Sequence, residues 1–181
     1  MASGKTNAGL SYGLMSGGAA ILLTLVLYLG GAKMFVNPIA YLGLAIPIVF
    51  AVLGGIAHKK ANGGYLEFSQ ALKTVFTVFV IGSFLSTAFS YLLLNVIDVP
   101  FRQALAQEMA QASEKMMEKF GVPQDQIDKS TADILNENSY TLSRQFLGFA
   151  GGTIVWFIIS LIIAAIIKKK KPEFDNNSFT Q

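Results

Sequence analysis

Long stretches without any charged side chain dominate this sequence. Four windows, which cover residues 6–32, 34–57, 74–97 and 145–167, contain no Asp, Glu, Lys or Arg and together hold 98 of the 181 residues. Each window is 23 to 27 residues long, and a helix of ~20 apolar residues is enough to cross the ~30 Å hydrocarbon core of a bilayer. Charge-free runs of this length are typical of transmembrane helices. The chain is therefore predicted to be an all-α, polytopic membrane protein.

Turn and capping residues divide the chain into a single membrane domain, residues 1–181, with four spans. The predicted spans cover residues 10–30, 38–57, 72–97 and 146–167. Pro38 suits the first turn of the second span, and Asn62 with two following glycines marks a turn before the third. The small residues at 30–32 would also suit signal-peptide cleavage, but the apolar run before them is longer than a signal core, which favours a span. Residues 172–181 are predicted to be a disordered tail.

A polar segment, residues 98–144, separates the third and fourth spans. Asp98 suits a helix N-cap, and Gly121 followed by Pro123 suits a helix end. Between them one apolar stripe recurs every three or four residues and comprises Leu105, Met109, Ala112, Met116 and Phe120. A second, shorter helix is predicted at residues 123–135. We therefore predict a helical hairpin with one methionine-containing apolar face, a kind of face that adapts to several surfaces.

The distribution of cations predicts the orientation of the spans. Lys59, Lys60 and Lys73 flank the turn between the second and third spans, and four lysines follow the last span. Short cytoplasmic loops are enriched in Lys and Arg, so this turn and both termini are predicted to be cytoplasmic. Residues 98–144 carry eight acids against five bases, a net charge of −3, and are predicted to be extracytoplasmic. The terminal lysines are predicted to meet anionic lipid headgroups; they are Lys168, Lys169, Lys170 and Lys171.

Small residues spaced four apart predict where helices pack closely. Small residues lie near the predicted cytoplasmic ends of spans one and two, which suggests a close contact between these two spans at that side. Small residues also lie near the predicted extracytoplasmic ends of spans three and four, which suggests a second close contact between those spans. The predicted helix-packing residues are Gly13, Gly17, Gly54, Gly55, Gly82, Ser86, Ser90, Gly148 and Gly152. The same spacing could also serve a contact between two copies of the chain.

The composition excludes several classes of function. The chain has no cysteine and one histidine, so it can build neither a cysteine-ligated nor a multi-histidine metal site. The Ser, Thr and Tyr hydroxyls have no paired histidine or carboxylate cluster that would activate a nucleophile. No carboxylate lies within a predicted span, where cation- and proton-coupled carriers place one. No metal, cofactor, nucleic acid or enzymatic activity is therefore expected.

The motifs of this chain resemble those of a known family. The run GGYLEFSQALK at residues 63–73, the run YGLMSG at residues 12–17, the polar helical segment and the lysines after the last span together are similar to the bacterial four-span membrane family known as domain of unknown function 4199. The resemblance extends over residues 10–172. It implies a bacterial inner-membrane location, and it implies no activity and no site residues.

Two functions fit these observations. The first is a non-enzymatic assembly or accessory subunit, as a homo-oligomer or within a larger membrane complex, which uses the exposed stripe as its contact surface; its predicted partner-binding residues are Leu105, Met109, Met116 and Phe120. The alternative is a small channel or carrier for a neutral or apolar solute, whose path would be lined by Ser83, Ser86, Thr87 and Ser90. Membrane lipids are expected to contact the protein in either case.

Overall fold

The computed structural model describes residues 7–136 and 140–171. The described chain contains no named β-strand, and the all-α prediction is confirmed. Its α-helices are α1 (Ala8–Leu29), α2 (Leu42–Ala61), α3 (Phe68–Leu92), α4 (Val99–Lys119), α5 (Gln124–Leu135) and α6 (Leu142–Ile167). Two short 3₁₀ helices, Ala32–Val36 and Pro38–Tyr41, join α1 to α2, and a π-helical turn, Leu93–Ile97, continues α3. The predicted tail, residues 172–181, lies outside the described residues.

Four of the described helical segments are long and apolar enough to cross a membrane, as the charge-free windows predict. They cover Ala8–Leu29, Pro38–Ala61, Phe68–Ile97 and Leu142–Ile167. The third is longer than the predicted span of residues 72–97 because the helix already begins at Phe68, and its π-helical turn ends at Ile97 as predicted. At ~1.5 Å per residue, every one of these segments exceeds the ~30 Å hydrocarbon core.

Helix α3 is the centre of the bundle, since α1, α2 and α6 all pack against it. The side chains of Val75, Val78 and Phe79 on α3 are completely buried. The Phe79 ring stacks on Trp156 of α6, with ring centroids 4.6 Å apart and planes 12° apart. Further along α6, Ile163 joins the same cluster of buried residues. The tight core therefore lies in the half of the bundle next to the terminal lysines, which we call the lysine end.

A backbone pairing closes the lysine end. Leu66 and Lys169 form an isolated antiparallel bridge, in which the Leu66 N–H donates to the Lys169 carbonyl at 2.9 Å and the Lys169 N–H donates to the Leu66 carbonyl at 2.8 Å. The Lys59 ammonium donates to the Ile167 carbonyl at 2.8 Å, which satisfies one orphan carbonyl at the end of α6. The turn between α2 and α3 is thus tied to the segment that follows α6.

The opposite end of the bundle carries the α4–α5 hairpin, and we call it the hairpin end. The Asp98 carboxylate accepts from the Phe101 N–H at 2.9 Å, which is the predicted N-cap of α4. Its other oxygen accepts from the Tyr28 hydroxyl at 2.8 Å. The Phe101 ring meets Tyr28 and Phe35 edge to face, at 4.8 Å and 5.8 Å. These contacts join the start of α4 to the end of α1 and the segment after it.

A cation on α4 also contacts the π-helical turn. The Arg102 guanidinium donates to the Asn95 side-chain oxygen at 2.9 Å and lies 5.7 Å from the centroid of the Tyr140 ring. Burial raises the pKa of the Tyr140 phenol, and the nearby Arg102 charge opposes that rise.

Candidate functional site

The structure places five of the predicted packing glycines at close helix contacts. A Cβ atom added at Gly13 would lie 2.8 Å from the Ile81 Cβ, and one added at Gly17 would lie 2.8 Å from the Leu85 Cβ. The corresponding atom at Gly82 would lie 2.8 Å from the Ser16 hydroxyl. These three glycines therefore join α1 to α3, whereas the sequence suggested that Gly13 and Gly17 would face α2. Absence of a Cβ is what allows the two backbones to approach so closely.

The glycines of α2 make two different contacts. A Cβ at Gly54 would lie 3.1 Å from both the Tyr12 Cβ and a methyl group of Val78, so this glycine does lie between α1, α2 and α3. A Cβ at Gly55 would overlap the Ile167 side chain of α6. Gly54 thus gives part of the expected contact between the first two spans, and Gly55 gives a contact that the sequence did not suggest.

The two predicted packing glycines of α6, Gly148 and Gly152, do not lie at a close helix contact. A Cβ added at Gly148 or Gly152 would meet no heavy atom of the described residues within 4 Å. The expected close contact between the last two spans at the hairpin end is therefore wrong at these positions. The two helices instead hold together nearer the lysine end, through the Phe79–Trp156 stack and the buried residue Ala164. Beyond Trp156 they leave a cleft between them.

This polar cleft has a volume of about 290 Å³ and lies between α3 and α6 at the hairpin end. Hydroxyl groups of Ser83 and Thr87 line its α3 side, and Arg144 with Gln145 line its mouth on α6. Gly148, Phe149, Gly152 and Trp156 complete the lining. The two glycines therefore create space in this structure. Arg144 and Gln145 were not predicted as site residues, although a cation and an amide at the edge of a charge-free run are a signal for a polar mouth.

A second cavity adjoins the polar cleft on the side toward the centre of the bundle. It has a volume of about 140 Å³ and reaches Ser16 of α1, Pro47 of α2 and Ser86 of α3. Ser83, Thr87 and Trp156 line both cavities. Three of the four predicted path residues, Ser83, Ser86 and Thr87, are thus brought together, while Ser90 is not among the residues that line either cavity.

The hydroxyl groups in these cavities are not equally available. The Ser83 hydroxyl donates to the Phe79 carbonyl one turn earlier at 2.6 Å, which is the usual partner of serine in a membrane helix. Within the part of the chain that the structure describes, neither Ser86 nor Thr87 has a side-chain hydrogen bond. Two hydroxyls on one face of α3 are therefore free to bind a molecule in the cavity.

The cavities end before the lysine end of the bundle. Below Ser16 and Gly82, the completely buried residues Val78, Phe79 and Val75 fill the space between the helices. Neither cavity has a lining residue from this region. The polar space is accordingly open at the hairpin end and closed toward the lysine end.

The structure divides the predicted partner-binding stripe on α4. Leu105 is only 4% exposed, and it lies on the face of α4 that also buries Ala106 and Ala110. Because α4 packs on α5 and on the segment after α1, Leu105 is part of the hairpin's own core and is not available to a partner. Met109, Met116 and Phe120 are 44%, 55% and 80% exposed. The exposed apolar face, which we call the α4 face, consists of these three residues.

The predicted headgroup lysines are all exposed, and two of them also contact aromatic rings. The Lys168 ammonium lies 5.7 Å from the centroid of Phe68, and the Lys169 ammonium lies 5.6 Å from that of Tyr65.

The single histidine lies against a hydroxyl group. Its Nδ1 atom, on His58, is 2.6 Å from the hydroxyl oxygen of the buried residue Thr74. Within residues 7–136 and 140–171, no three His, Cys, Asp or Glu side chains lie close enough together to hold a metal ion.

Comparison with known proteins gives one match. Residues 11–169 match the family described as "Protein of unknown function (DUF4199)". No protein with a curated description and no solved structure shows significant similarity to the chain. The match includes the hairpin and the four helices that are long and apolar enough to cross a membrane, except the first three residues of α1.

Proposed function

The chain belongs to the DUF4199 family of proteins of unknown function, and from the geometry of its cleft we propose that it is a carrier that binds a small neutral solute. The observation that supports this most is a polar cleft that adjoins a second cavity along α3, with Ser83 and Thr87 lining both. Membrane helices seldom leave hydroxyl groups unpaired in an apolar surrounding, because an unsatisfied polar group is costly there. A hydrogen-bonding solute would satisfy the free hydroxyls of Ser86 and Thr87, which line the inner cavity.

The chemistry of the lining favours a neutral solute. Among the described residues, no Asp or Glu lines either cavity, and a cation or proton would require such a group at membrane depth. Arg144 places one positive charge at the mouth of the cleft, and the other polar lining groups, the hydroxyls and the Gln145 amide, supply donors and acceptors without a net charge. We also propose that the protein is not an enzyme, because nothing that lines the cleft would activate these hydroxyls.

The closed lysine end favours a carrier over an open channel. A channel needs a path through the whole membrane, whereas the polar space here stops at Val78 and Phe79. A carrier exposes its site to one side at a time. Transport would then require α3 and α6 to separate at the Phe79–Trp156 stack.

The proposed orientation places the lysine end in the cytoplasm of a bacterium. Lys59, Lys60 and Lys168–Lys171 surround that end, and cytoplasmic loops concentrate Lys and Arg. Both termini would then be cytoplasmic and the protein would reside in the inner membrane. The cleft would open to the extracytoplasmic side.

Flux measurements on the full-length protein in liposomes test the proposed function. Entry of glycerol or urea is followed by light scattering after rapid mixing, with protein-free vesicles as the reference. The wild type should accelerate entry of at least one of these solutes. Thr87→Val removes a free hydroxyl with little change in shape and should slow the accelerated component about fivefold. Gly152→Leu should abolish it by filling the cleft.

Gly18→Leu is the matched control for Gly152→Leu. A Cβ at Gly18 also meets no heavy atom of the described residues within 4 Å, but Gly18 lines neither cavity. This variant should therefore transport like the wild type. The proposal is wrong if the wild type accelerates neither solute, or if Gly152→Leu and Thr87→Val leave the accelerated rate unchanged.

A second candidate function is assembly, and the exposed α4 face favours it. We propose that Met109, Met116 and Phe120 contact a second copy of the chain or another membrane protein. A carboxylate buried in such a contact without a counter-charge is strongly unfavourable. The variant with Met109→Glu and Met116→Glu should therefore lose co-purification with its partner in mild detergent.

The control for this variant is the double substitution Gln107→Glu and Gln111→Glu, which adds the same two charges at other exposed positions of α4. It should preserve co-purification. If the variant with both methionines replaced recovers the same partners as the wild type while it remains folded, the assembly role of the α4 face is refuted.

A further inference from the structure

An apolar groove lies beside the polar cleft, on the lipid-facing side of the contact between α3 and α6. Its volume is about 290 Å³, and it opens at the hairpin end. Its main apolar lining residues are Phe84, Ala88 and Leu92 of α3 and Leu142, Phe146 and Phe149 of α6. Several of these side chains are exposed, and Phe146 is 67% exposed. In a membrane this groove faces the hydrocarbon core.

The groove and the polar cleft share a wall. Thr87, Gln145 and Phe149 line both of them. The Phe84 and Phe149 rings meet edge to face at 6.0 Å and form the deep end of the groove. A molecule in the groove would therefore have an apolar surface along its length and polar groups at one side.

The length of the groove matches one leaflet of a bilayer. From Phe84 to Leu92 the α3 side rises ~12 Å at ~1.5 Å per residue. One leaflet contributes ~15 Å to a ~30 Å hydrocarbon core. The groove thus covers most of the depth of a single acyl chain that enters from the leaflet at the hairpin end.

A cation beside the groove, next in the chain to its lining residue Gln145, favours one class of headgroup. Arg144 precedes Gln145 and lines the mouth of the neighbouring polar cleft. No Asp or Glu is found among the described residues that line the groove or the cleft. A guanidinium forms strong bidentate hydrogen bonds with the phosphate of any phospholipid. A zwitterionic headgroup adds a cation that Arg144 repels and that no lining carboxylate pairs with, so a headgroup with a net negative charge is favoured.

We propose that the groove binds one anionic phospholipid from the leaflet at the hairpin end. One acyl chain lies between Phe84 and Leu92 of α3 and the facing residues of α6. Its phosphate contacts Arg144, and Gln145 contacts the polar linkage between the headgroup and the chain. This site goes beyond the proposed carrier function, because it concerns a lipid bound beside the cleft and does not require any solute to be transported.

Native mass spectrometry of the delipidated full-length protein in detergent tests the site. Phosphatidylglycerol and phosphatidylcholine with identical acyl chains are titrated separately, and bound lipid is counted. The wild type should retain the first phosphatidylglycerol about tenfold more tightly than phosphatidylcholine. Arg144→Gln should remove this preference. Ala88→Leu should weaken binding of both lipids at least about fivefold, because it fills the groove.

Matched controls separate the site from general lipid adhesion. Lys33→Gln removes an exposed cation that lines none of the cavities described above, and Ala45→Leu adds bulk to an exposed position of α2. Both should bind lipid like the wild type. Phe146→Ala removes a contact to the acyl chain at an exposed position of the groove and should also weaken lipid binding. It replaces Ala88→Leu as the test if that variant does not fold.

Two results would overturn the proposal. One is that Arg144→Gln keeps the preference for phosphatidylglycerol and that Ala88→Leu or Phe146→Ala, measured separately, binds both lipids as tightly as the wild type. The other is binding of glycerol 3-phosphate as tight as that of phosphatidylglycerol, since the groove would then contribute nothing and the site would be one for a soluble phosphate. Loss of glycerol or urea flux would not affect either measurement, so this proposal and the carrier function can fail separately.

Discussion

Substitution of Gly13 by alanine tests the close contact between α1 and α3. The added Cβ would lie 2.8 Å from the Ile81 Cβ and 3.4 Å from the Val78 Cα. Neither atom is the far end of a flexible side chain, so the helices must move apart. Overpacking of this kind costs ~1–3 kcal/mol, while replacement of glycine by alanine within a helix gains ~0.5–1 kcal/mol.

Gly148→Ala provides the comparison, because an added Cβ there meets no heavy atom of the described residues within 4 Å. It should show only the gain in helix propensity. The difference between the two variants is then the overpacking cost. For a protein of this size each kcal/mol shifts the melting temperature by ~2–4 °C, so Gly13→Ala should melt about 2–12 °C below Gly148→Ala.

Thermal unfolding of both variants in the same detergent, followed by the loss of monodisperse protein, measures this difference. Gly18→Ala is the control on α1 itself, since its added Cβ also meets open space. It should behave like Gly148→Ala. If Gly13→Ala melts at or above the other two variants, the account of helix packing around α3 is refuted.

Three further predictions concern the ends of the bundle. Cysteine labelling of intact cells should reach Gln126→Cys from outside and Asn62→Cys only after permeabilisation; the reverse pattern would contradict the proposed orientation. Asp98→Ala removes the cap of α4 and the acceptor of the Tyr28 hydroxyl, so it should lower stability by ~1–3 kcal/mol in thermal unfolding and Tyr28→Phe should have a smaller effect; equal stability of wild type and Asp98→Ala would show that this junction contributes little. Lys59→Met leaves a terminal carbonyl of α6 without its donor and should increase protease cleavage after α6, whereas an unchanged cleavage rate would show that the lysine end is held by other contacts.

The sequence was sufficient to predict the four spans because the bilayer imposes a simple rule. A helix that crosses ~30 Å of hydrocarbon must lack charge over ~20 residues, and the four charge-free windows meet that rule. The N-cap of α4 at Asp98 was predictable for a similar reason, since the cap depends on neighbours in the chain. Both features are decided locally.

The pairing of helices could not be predicted in the same way. Gly13 and Gly148 carry the same four-residue spacing to a second glycine, yet only Gly13 lies at a close contact. The outcome depends on which helix faces each glycine, and here the Phe79–Trp156 stack holds α3 and α6 together away from Gly148. The bridge between Leu66 and Lys169 has no signature in the sequence, because it uses only backbone groups that every such residue possesses.

Quenching of the single tryptophan by acrylamide tests the central claim that a polar cleft reaches the middle of the bundle. Trp156 is the only tryptophan in the chain and lines both cavities along α3. Acrylamide is a small neutral polar molecule, so with the full-length protein in lipid nanodiscs it should quench Trp156 through the cleft. Gly148→Leu should reduce the quenching constant at least about threefold, and Gly18→Leu should leave it unchanged. Equal quenching in the wild type and Gly148→Leu, or no quenching in the wild type, would contradict the account.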